Sequence, residues 1–295
     1  MSANSEDSVL VYDVGGSHIS SAVCFAGDYR LGPVVRGRYG ACETAEAFVD
    51  LLQQLGVEAA AGTAGIQGAG LAMPGPFDYA AGISQMRHKL PYLYGVDLRG
   101  ALAARFDWQP QQVRFLNDAA AYLLGEVGAG AARGVARAVG VTLGTGIGSA
   151  FAIDGSIVTS GPGVPPGGEV WNLPYGGGIV EDALSGRAIQ NNYQTNTGKQ
   201  VEVAESAALA PTDAAAAEAF AEFGRHLGIA LRMLTAEFAP EAVVIGGGIS
   251  RSAQLFLPAA EYELEGMKVE LRVSSLRDKA ALVGAGVAWF ASKDN

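Results

Sequence analysis

At 295 residues the chain is long enough for two modest domains, or one large one, around a substantial core. Hydrophobic residues make up 49% and charged ones 17%, which excludes a disordered protein, and 41 glycines without a collagen-like period imply tight turns and close backbone approaches. A net charge of −10 speaks against a nucleic-acid backbone as partner, yet leaves room for a nucleotide held by backbone N–H groups and a metal.

Val9 to Val14 is an apolar run ending in Asp13 and Gly15-Gly16, and Ser17 to Phe25 roughly alternates, which predicts a β-hairpin with a Gly-rich turn. Thr44 to Leu55 has helical spacing, with Thr44 as N-cap and Gly56 as stop. Gly68 to Met73 is a buried strand closed by Pro74-Gly75-Pro76, and residues 76–97 are expected to be an irregular loop. Leu98 to Phe106 is helical, and Val113 to Leu116 is a strand that ends in Asn117-Asp118 before an Ala-rich helix.

The second half repeats the theme. Ala136 to Leu143 leads through Gly144-Thr145-Gly146-Ile147-Gly148 into an alternating run, Ser149 to Ile153. Residues 159–178, dense in Gly and Pro, read as loop. Thr212 to Phe238 predicts a long helix with the core stripe Phe220, Phe223, Leu227, Leu231, Leu234 and Phe238. Ala242 to Ile245 is a strand running into Gly246-Gly247-Gly248, Val269 to Val273 is another, and a small-residue helix spans about Lys279 to Phe290. Alternating strands and helices in two related halves give an α/β protein with a ligand cleft between its domains. The expected domains are 1–118 and 119–295, with the C-terminal helix (about 279–293) packing back on the first.

Cys24 and Cys42 are the two cysteines, too few to staple such a chain, so a reducing cytoplasm is expected. The polar, acidic start is not expected to be a signal peptide, and no apolar run reaches the roughly 20 residues a membrane helix needs.

Asp13 at a strand end, followed by Gly15, Gly16, Ser17 and His18, suits phosphate: glycines admit phosphate oxygens to the backbone, and the carboxylate suits Mg²⁺, directly or through water. The alternative is a hairpin turn that merely contains two glycines. Gly144, Thr145 and Gly146 form a second such turn, which is neither a dinucleotide fingerprint nor a Walker loop. Gly246, Gly247 and Gly248 offer a flat surface for adenine or ribose, or else a flexible link. Asp118 is either a helix N-cap or the acceptor of a sugar hydroxyl proton during attack on a γ-phosphoryl group. Glu169 and Glu181 are either acceptors for sugar hydroxyls or solvated loop acids.

Taken in order, these segments resemble the ROK family of bacterial sugar kinases, within the actin-like ATPase superfamily. The likeness rests on Asp13 to Ile19, Met73 to Asp78, Leu116 to Ala119, Leu143 to Gly148 and Val244 to Gly248, and it covers nearly the whole chain. It implies two actin-like (ribonuclease H-like) domains, ATP and Mg²⁺ as cofactors, a homodimer, and transfer to a hydroxyl of glucose or a related hexose or N-acetylhexosamine. By the same resemblance Asp118 is the catalytic base, Asn117, Glu169 and Glu181 bind sugar, and Ser185-Gly186 continues the last motif. His88 lies in a loop where members place sugar contacts, and Tyr92 and Tyr94 shape that mouth. The sequence departs from the family at Trp171-Asn172, where members carry Gly-His, and it lacks their Cys-rich zinc loop. No structural zinc is therefore expected, and Asn172 and Trp171 are candidates for contact with the sugar. The other readings are a catalytically silent sugar sensor on the same fold, a kinase acting on a non-sugar or modified-sugar acceptor, and a repressor, the last disfavoured because the first strand begins by Val9; the phosphoryl donor is left open between ATP and polyphosphate. His226 is expected to be an ordinary, partly buried helix residue.

Overall fold

The computed structural model describes residues 7–292. The chain divides into two compact units: unit 1 runs to Ala129 and resumes at Lys279, and unit 2 is Gly130–Asp278. The division falls after the helix that follows Asp118 rather than before it, because that helix packs on the C-terminal helix of unit 1.

Unit 1 holds one five-stranded sheet built from β1 (Ser8–Val14), β2 (His18–Phe25), β3 (Val35–Arg38), β4 (Ile66–Met73) and β5 (Val113–Asn117). Their order is β3-β2-β1-β4-β5, antiparallel across the first three and parallel across the last three. β1 is apolar almost throughout because both its faces are covered. Leu10 and Tyr12 meet Phe48, Leu52 and Leu71, while Val9 and Val11 meet Leu282, Ala285 and Trp289.

The first of those faces is covered by α1 (Ala45–Ala59), whose N-cap is Thr44 as expected, its Oγ1 accepting from the Ala47 N–H at 3.2 Å. Gly56 does not stop this helix but lies inside it. A Cβ there would stand 2.0 Å from the Tyr12 hydroxyl, so the glycine is explained by packing against β1. The helix α2 (Leu98–Arg105) and the helix α3 (Asp118–Ala129) follow the sequence closely. Residues 76–97 are less irregular than expected, containing the paired segments Phe77–Asp78 and Ile83–Ser84 and one 3₁₀ turn, Pro91–Leu93.

Unit 2 repeats the sheet with β6 (Arg137–Leu143), β7 (Ile147–Ile153), β8 (Ser156–Val158), β9 (Ala242–Gly246) and β10 (Glu270–Val273). The order β8-β7-β6-β9-β10 has the same pattern of antiparallel and parallel neighbours as unit 1. Between β8 and β9 lie a short turn α4 (Val180–Ala183), then α5 (Gly186–Thr197), α6 (Val203–Leu209) and the long α7 (Ala214–Phe238). Asp213 caps α7, its Oδ1 accepting from Ala215 N–H at 2.9 Å. Of the expected stripe, Phe220, Phe223, Leu227, Leu231 and Phe238 are buried, and Leu234 packs half-buried beside them. The triple glycine starts with the last residue of β9, Gly246. It continues into a 3₁₀ segment, Gly248–Leu255, and then α8 (Leu257–Glu263).

The final helix, α9 (Ala280–Ala291), belongs to unit 1. Its small residues let backbone meet backbone: a Cβ on Gly284 would lie 1.7 Å from the Ala121 carbonyl oxygen of α3, and one on Gly125 would lie 2.0 Å from that of Ala280. Toward the sheet, a Cβ on Gly70 of β4 would lie 2.6 Å from the Ala285 carbonyl oxygen. Among the described residues no helix is long and apolar enough to cross a membrane. A backbone oxygen cannot rotate away as a side chain can, so Gly284→Ala should destabilise the fold by about 1–3 kcal/mol, the usual cost of overpacking. A lowered urea midpoint with an unchanged slope would report it, and an unchanged midpoint would refute the tight crossing.

Candidate active site

In unit 1 the parallel strands β1, β4 and β5 end together, with Asp13 opposite Ala72 and Met73 opposite Asn117. Asp13, the Pro74-Gly75-Pro76 segment and Asn117-Asp118 therefore share one edge of the sheet, the carboxyl edge, where α/β sheets expose loops and helix starts to ligands.

The β1–β2 turn is closed by the Gly15 N–H donating to the His18 carbonyl at 3.0 Å, and the Tyr39 hydroxyl donates to the Gly15 carbonyl at 2.7 Å. Gly16, Ser17 and His18 are exposed at its tip, and a Cβ on Gly16 would meet no atom within 4 Å. Nothing inside the unit demands glycine at that position, so its lack of a side chain leaves room for a group from outside.

At the end of β5, Asn117 rather than Asp118 caps α3. Its Oδ1 accepts from the N–H groups of Ala119 and Ala120 at 2.9 and 3.1 Å, and its Nδ2 donates to the Tyr79 hydroxyl at 3.2 Å. That hydroxyl donates in turn to the Met73 carbonyl at 3.2 Å, which ties the loop after β4 to the head of α3. Asp118 is the first helical residue, half-buried, and its Oδ1 shares the Ala119 N–H, accepting from it at 2.9 Å, while the Ala120 N–H goes to Asn117. The N-cap reading of Asp118 is thus corrected: the residue one place earlier does that work.

His88 is exposed in the loop 87–89, where Arg87 donates to the Tyr94 hydroxyl and lies 4.0 Å from that ring's centre. Tyr92 is instead half-buried against Phe48, so of the two tyrosines only Tyr94 is exposed.

Unit 2 presents the equivalent edge, with Thr142 opposite Gly246 where β6 and β9 end. The Gly144 N–H donates to the Gly146 carbonyl at 3.0 Å, leaving Thr145 exposed at the tip. Its glycines divide into two kinds. A Cβ on Gly144 or Gly248 would meet nothing within 4 Å, whereas one on Gly247 would lie 2.3 Å from the Leu143 carbonyl oxygen and one on Gly146 would lie 2.1 Å from Glu181 Oε2. The first pair faces open space, and the second lets neighbouring segments close on each other.

Ser149 fixes the segment before Glu169: its Oγ donates to the Gly168 carbonyl at 2.6 Å and accepts from the Val170 N–H at 3.0 Å. Glu169 is exposed and accepts from the Trp171 indole N–H at 3.0 Å, and Asn172 is exposed beside them. Glu181 is the second residue of α4, its N–H donating to the Trp171 carbonyl at 3.0 Å and its Oε2 accepting from the Ile147 N–H at 3.2 Å. Ser185 is buried and precedes α5, whose first residue, Gly186, donates its N–H to the Gly144 carbonyl at 2.8 Å.

A model of the ROK family matches residues 10–293. The chain belongs to the ROK family. Among curated relatives of this ROK chain is a protein named glucokinase from Thermotoga maritima, 30% identical over 247 residues that cover 73% of this chain and 77% of the relative. Among solved structures, a ROK hexokinase from Thermus thermophilus superposes with a TM-score of 0.81 at 28% identity, covering 98% of this chain and all of that one. A ROK glucokinase from Streptomyces griseus, solved with glucose and AMPPNP, superposes at 0.78 and 23% identity, covering 94% and 97% of the two chains. These likenesses agree with the α/β reading of two actin-like units.

After Trp171-Asn172 the chain forms a small hairpin, Pro174–Tyr175 paired with Gly178–Ile179. Among the described residues no group of three or more His, Cys, Asp or Glu is placed to hold a metal ion. A cavity of about 330 Å³ lies behind this hairpin, lined in part by Tyr175, Asp182 and His226 but by none of the predicted site residues. His226 is partly buried, bonded through Nδ1 to the Tyr175 hydroxyl at 2.7 Å and through Nε2 to Glu222 at 3.2 Å.

Tyr39, Tyr79 and Ser149 were missed from the sequence, because a side chain that braces a loop from far along the chain leaves no local pattern. Since Asn117 carries the cap, Asn117→Ala should cost about 1 kcal/mol of stability. Asp118→Asn should cost less, and chemical denaturation of both variants compares them. Equal losses would contradict this assignment of the cap.

Proposed function

We propose that this chain is a sugar kinase that transfers the γ-phosphoryl group of ATP to a hydroxyl of a hexose, glucose or a related hexose or N-acetylhexosamine, with Asp118 as general base. The observation that carries the reading is the division of labour at the end of β5. Asn117 satisfies the first amides of α3, so a carboxylate is not required for the cap, yet Asp118 stands next to it at the carboxyl edge of the sheet. The names of the relatives as glucokinase and hexokinase support the class of acceptor.

The phosphates of ATP are assigned to the two Gly turns, at Asp13 to His18 and Gly144 to Gly146, and its adenosine to Gly246 to Gly248. The Streptomyces griseus complex with AMPPNP supports ATP as donor. Asp13, half-buried at its strand end, is a single carboxylate. That is enough for Mg²⁺, which usually keeps several waters and takes its other ligands from phosphate oxygens. When bound, Mg²⁺ neutralises phosphate charge.

Asp118 takes the proton of the attacking hydroxyl as its oxygen bonds to the γ-phosphorus and the bond to the ADP oxygen breaks. Little more than positioning and charge neutralisation is then required of the protein. The acceptor's remaining hydroxyls are assigned to Asn117, His88, Glu169, Asn172 and Glu181. Trp171, held by Glu169, offers its face to the sugar.

Homodimer formation is proposed through the exposed apolar side chains Ile229 and Met233 of α7 and Tyr262 of α8. Free Cys24 and Cys42 fit the cytoplasm, and the acidic charge fits small-molecule partners rather than nucleic acid.

An ADP-release assay with Mg·ATP across hexoses, N-acetylhexosamines and rarer sugars tests the reading. One sugar should be turned over, and Asp118→Asn should lower that turnover roughly 10²-fold or more, with sugar affinity changed far less. Near-normal turnover in the variant would defeat the assignment of the base. Silence across the panel with sugar binding retained would point to a sensor.

A further inference from the structure

We propose that Glu181 couples the two substrates, because one carboxylate serves both the acceptor's hydroxyl groups and the backbone of the phosphate turn. The inference rests on the reading above, which assigns Glu181 to the sugar and the turn at Gly144 to Gly146 to phosphate.

The geometry lies wholly within unit 2. Glu181 Oε2 accepts from the Ile147 N–H at 3.2 Å, and a Cβ on Gly146 would stand 2.1 Å from that oxygen and 2.9 Å from Cδ. The carboxylate therefore covers the face of Gly146, and only glycine admits it there. Two backbone bonds hold the arrangement on either side. The Glu181 N–H donates to the Trp171 carbonyl at 3.0 Å, and the Gly186 N–H donates to the Gly144 carbonyl at 2.8 Å. The side chain is thus bound to the turn, not merely near it.

A Gly turn attracts phosphate because its N–H dipoles point at the anion. Here one of those N–H groups already serves an anion that belongs to the protein. An arriving phosphate meets a like charge at short range and competes for the Ile147 N–H, and both effects weaken nucleotide binding. Sugar hydroxyls are donors, and those bonded to the carboxylate compete with the Ile147 N–H for its oxygens and offset part of its charge. The acceptor thereby prepares the donor's site, and by linkage the donor strengthens acceptor binding by the same factor. The adjacent Asp182 supplies an internal control. It carries the same charge on the same turn of helix, but its Oδ2 accepts from the Ile179 N–H at 3.0 Å and has no bond to the phosphate turn.

Calorimetric titration of Mg·AMPPNP into the full chain, with and without saturating D-glucose, tests the coupling in the unmodified protein, Glu181→Gln and Asp182→Asn. In the unmodified protein, glucose should tighten AMPPNP binding about fivefold or more. Without glucose, Glu181→Gln should already bind AMPPNP about fivefold more tightly than the unmodified protein, and glucose should add little. Asp182→Asn should behave as the unmodified protein.

The inference is overturned if Glu181→Gln gains nothing in the absence of glucose, or if Asp182→Asn reproduces its gain. In either case the kinase reading stands. If AMPPNP binds none of the proteins, the kinase reading itself fails and takes the coupling with it. If AMPPNP binds but glucose does not, the sugar-free comparison of the variants still decides. Glu181→Ala replaces Glu181→Gln if the latter folds poorly by thermal melting.

Discussion

The packing of each unit depends on backbone meeting backbone at glycine. In unit 1, α9 lies against α3 through Gly284 and Gly125 and against β4 through Gly70, with carbonyl oxygens where side chains would otherwise be. Such a crossing buries apolar surface without a bulky side chain between the elements. It leaves Leu282, Ala285 and Trp289 free to cover the outer face of β1. In unit 2 the same device acts at Gly247, over the end of β6, and at Gly146, under Glu181. A methyl group at Gly284, Gly125, Gly70 or Gly247 would meet a backbone oxygen, so the spacing of the elements there is set by hard contact, whereas at Gly146 it would displace the Glu181 carboxylate.

The two units also share one sheet order. Each begins with a hairpin, adds a third antiparallel strand outside it, and continues with two parallel strands on the other side. In each, the first hairpin turn and the ends of the parallel strands share one edge. Of the glycines there, exposed Gly16 in one unit and half-buried Gly144 and exposed Gly248 in the other would have no neighbour within 4 Å of an added Cβ. Glycines needed for internal contact and glycines that leave open space thus sit within a few residues of each other, and only the second kind fits a ligand-facing role.

Much of this was legible in the sequence. Apolar runs ending in glycine located β1, β4, β6 and β9, and the motifs, taken in order, gave the family. What stayed hidden has physical reasons. α5 is rich in Gln, Asn and Thr and buries Ile189 and Tyr193 as its only large apolar side chains, so it lacks the stripe that revealed α7. Gly56 read as a helix stop because glycine usually ends helices, whereas here it makes space for the Tyr12 hydroxyl from a distant strand. At Asn117-Asp118 the sequence located the site and its two polar residues. Which of them caps the helix depends on where each carboxyl or amide oxygen points, and no pattern of residue types records that. The bond between Glu181 and the phosphate turn joins residues 34 apart and was invisible for the same reason.

The central claim is that both Gly turns hold the phosphates of the nucleotide. Hydrogen–deuterium exchange with and without saturating Mg·AMPPNP tests it most directly, because it reads the backbone N–H groups to which the claim assigns the work. The account predicts slowed exchange in residues 15–18 and in residues 144–148, with little change in the hairpin at residues 174–179. Saturated binding with unchanged exchange at both turns would contradict it.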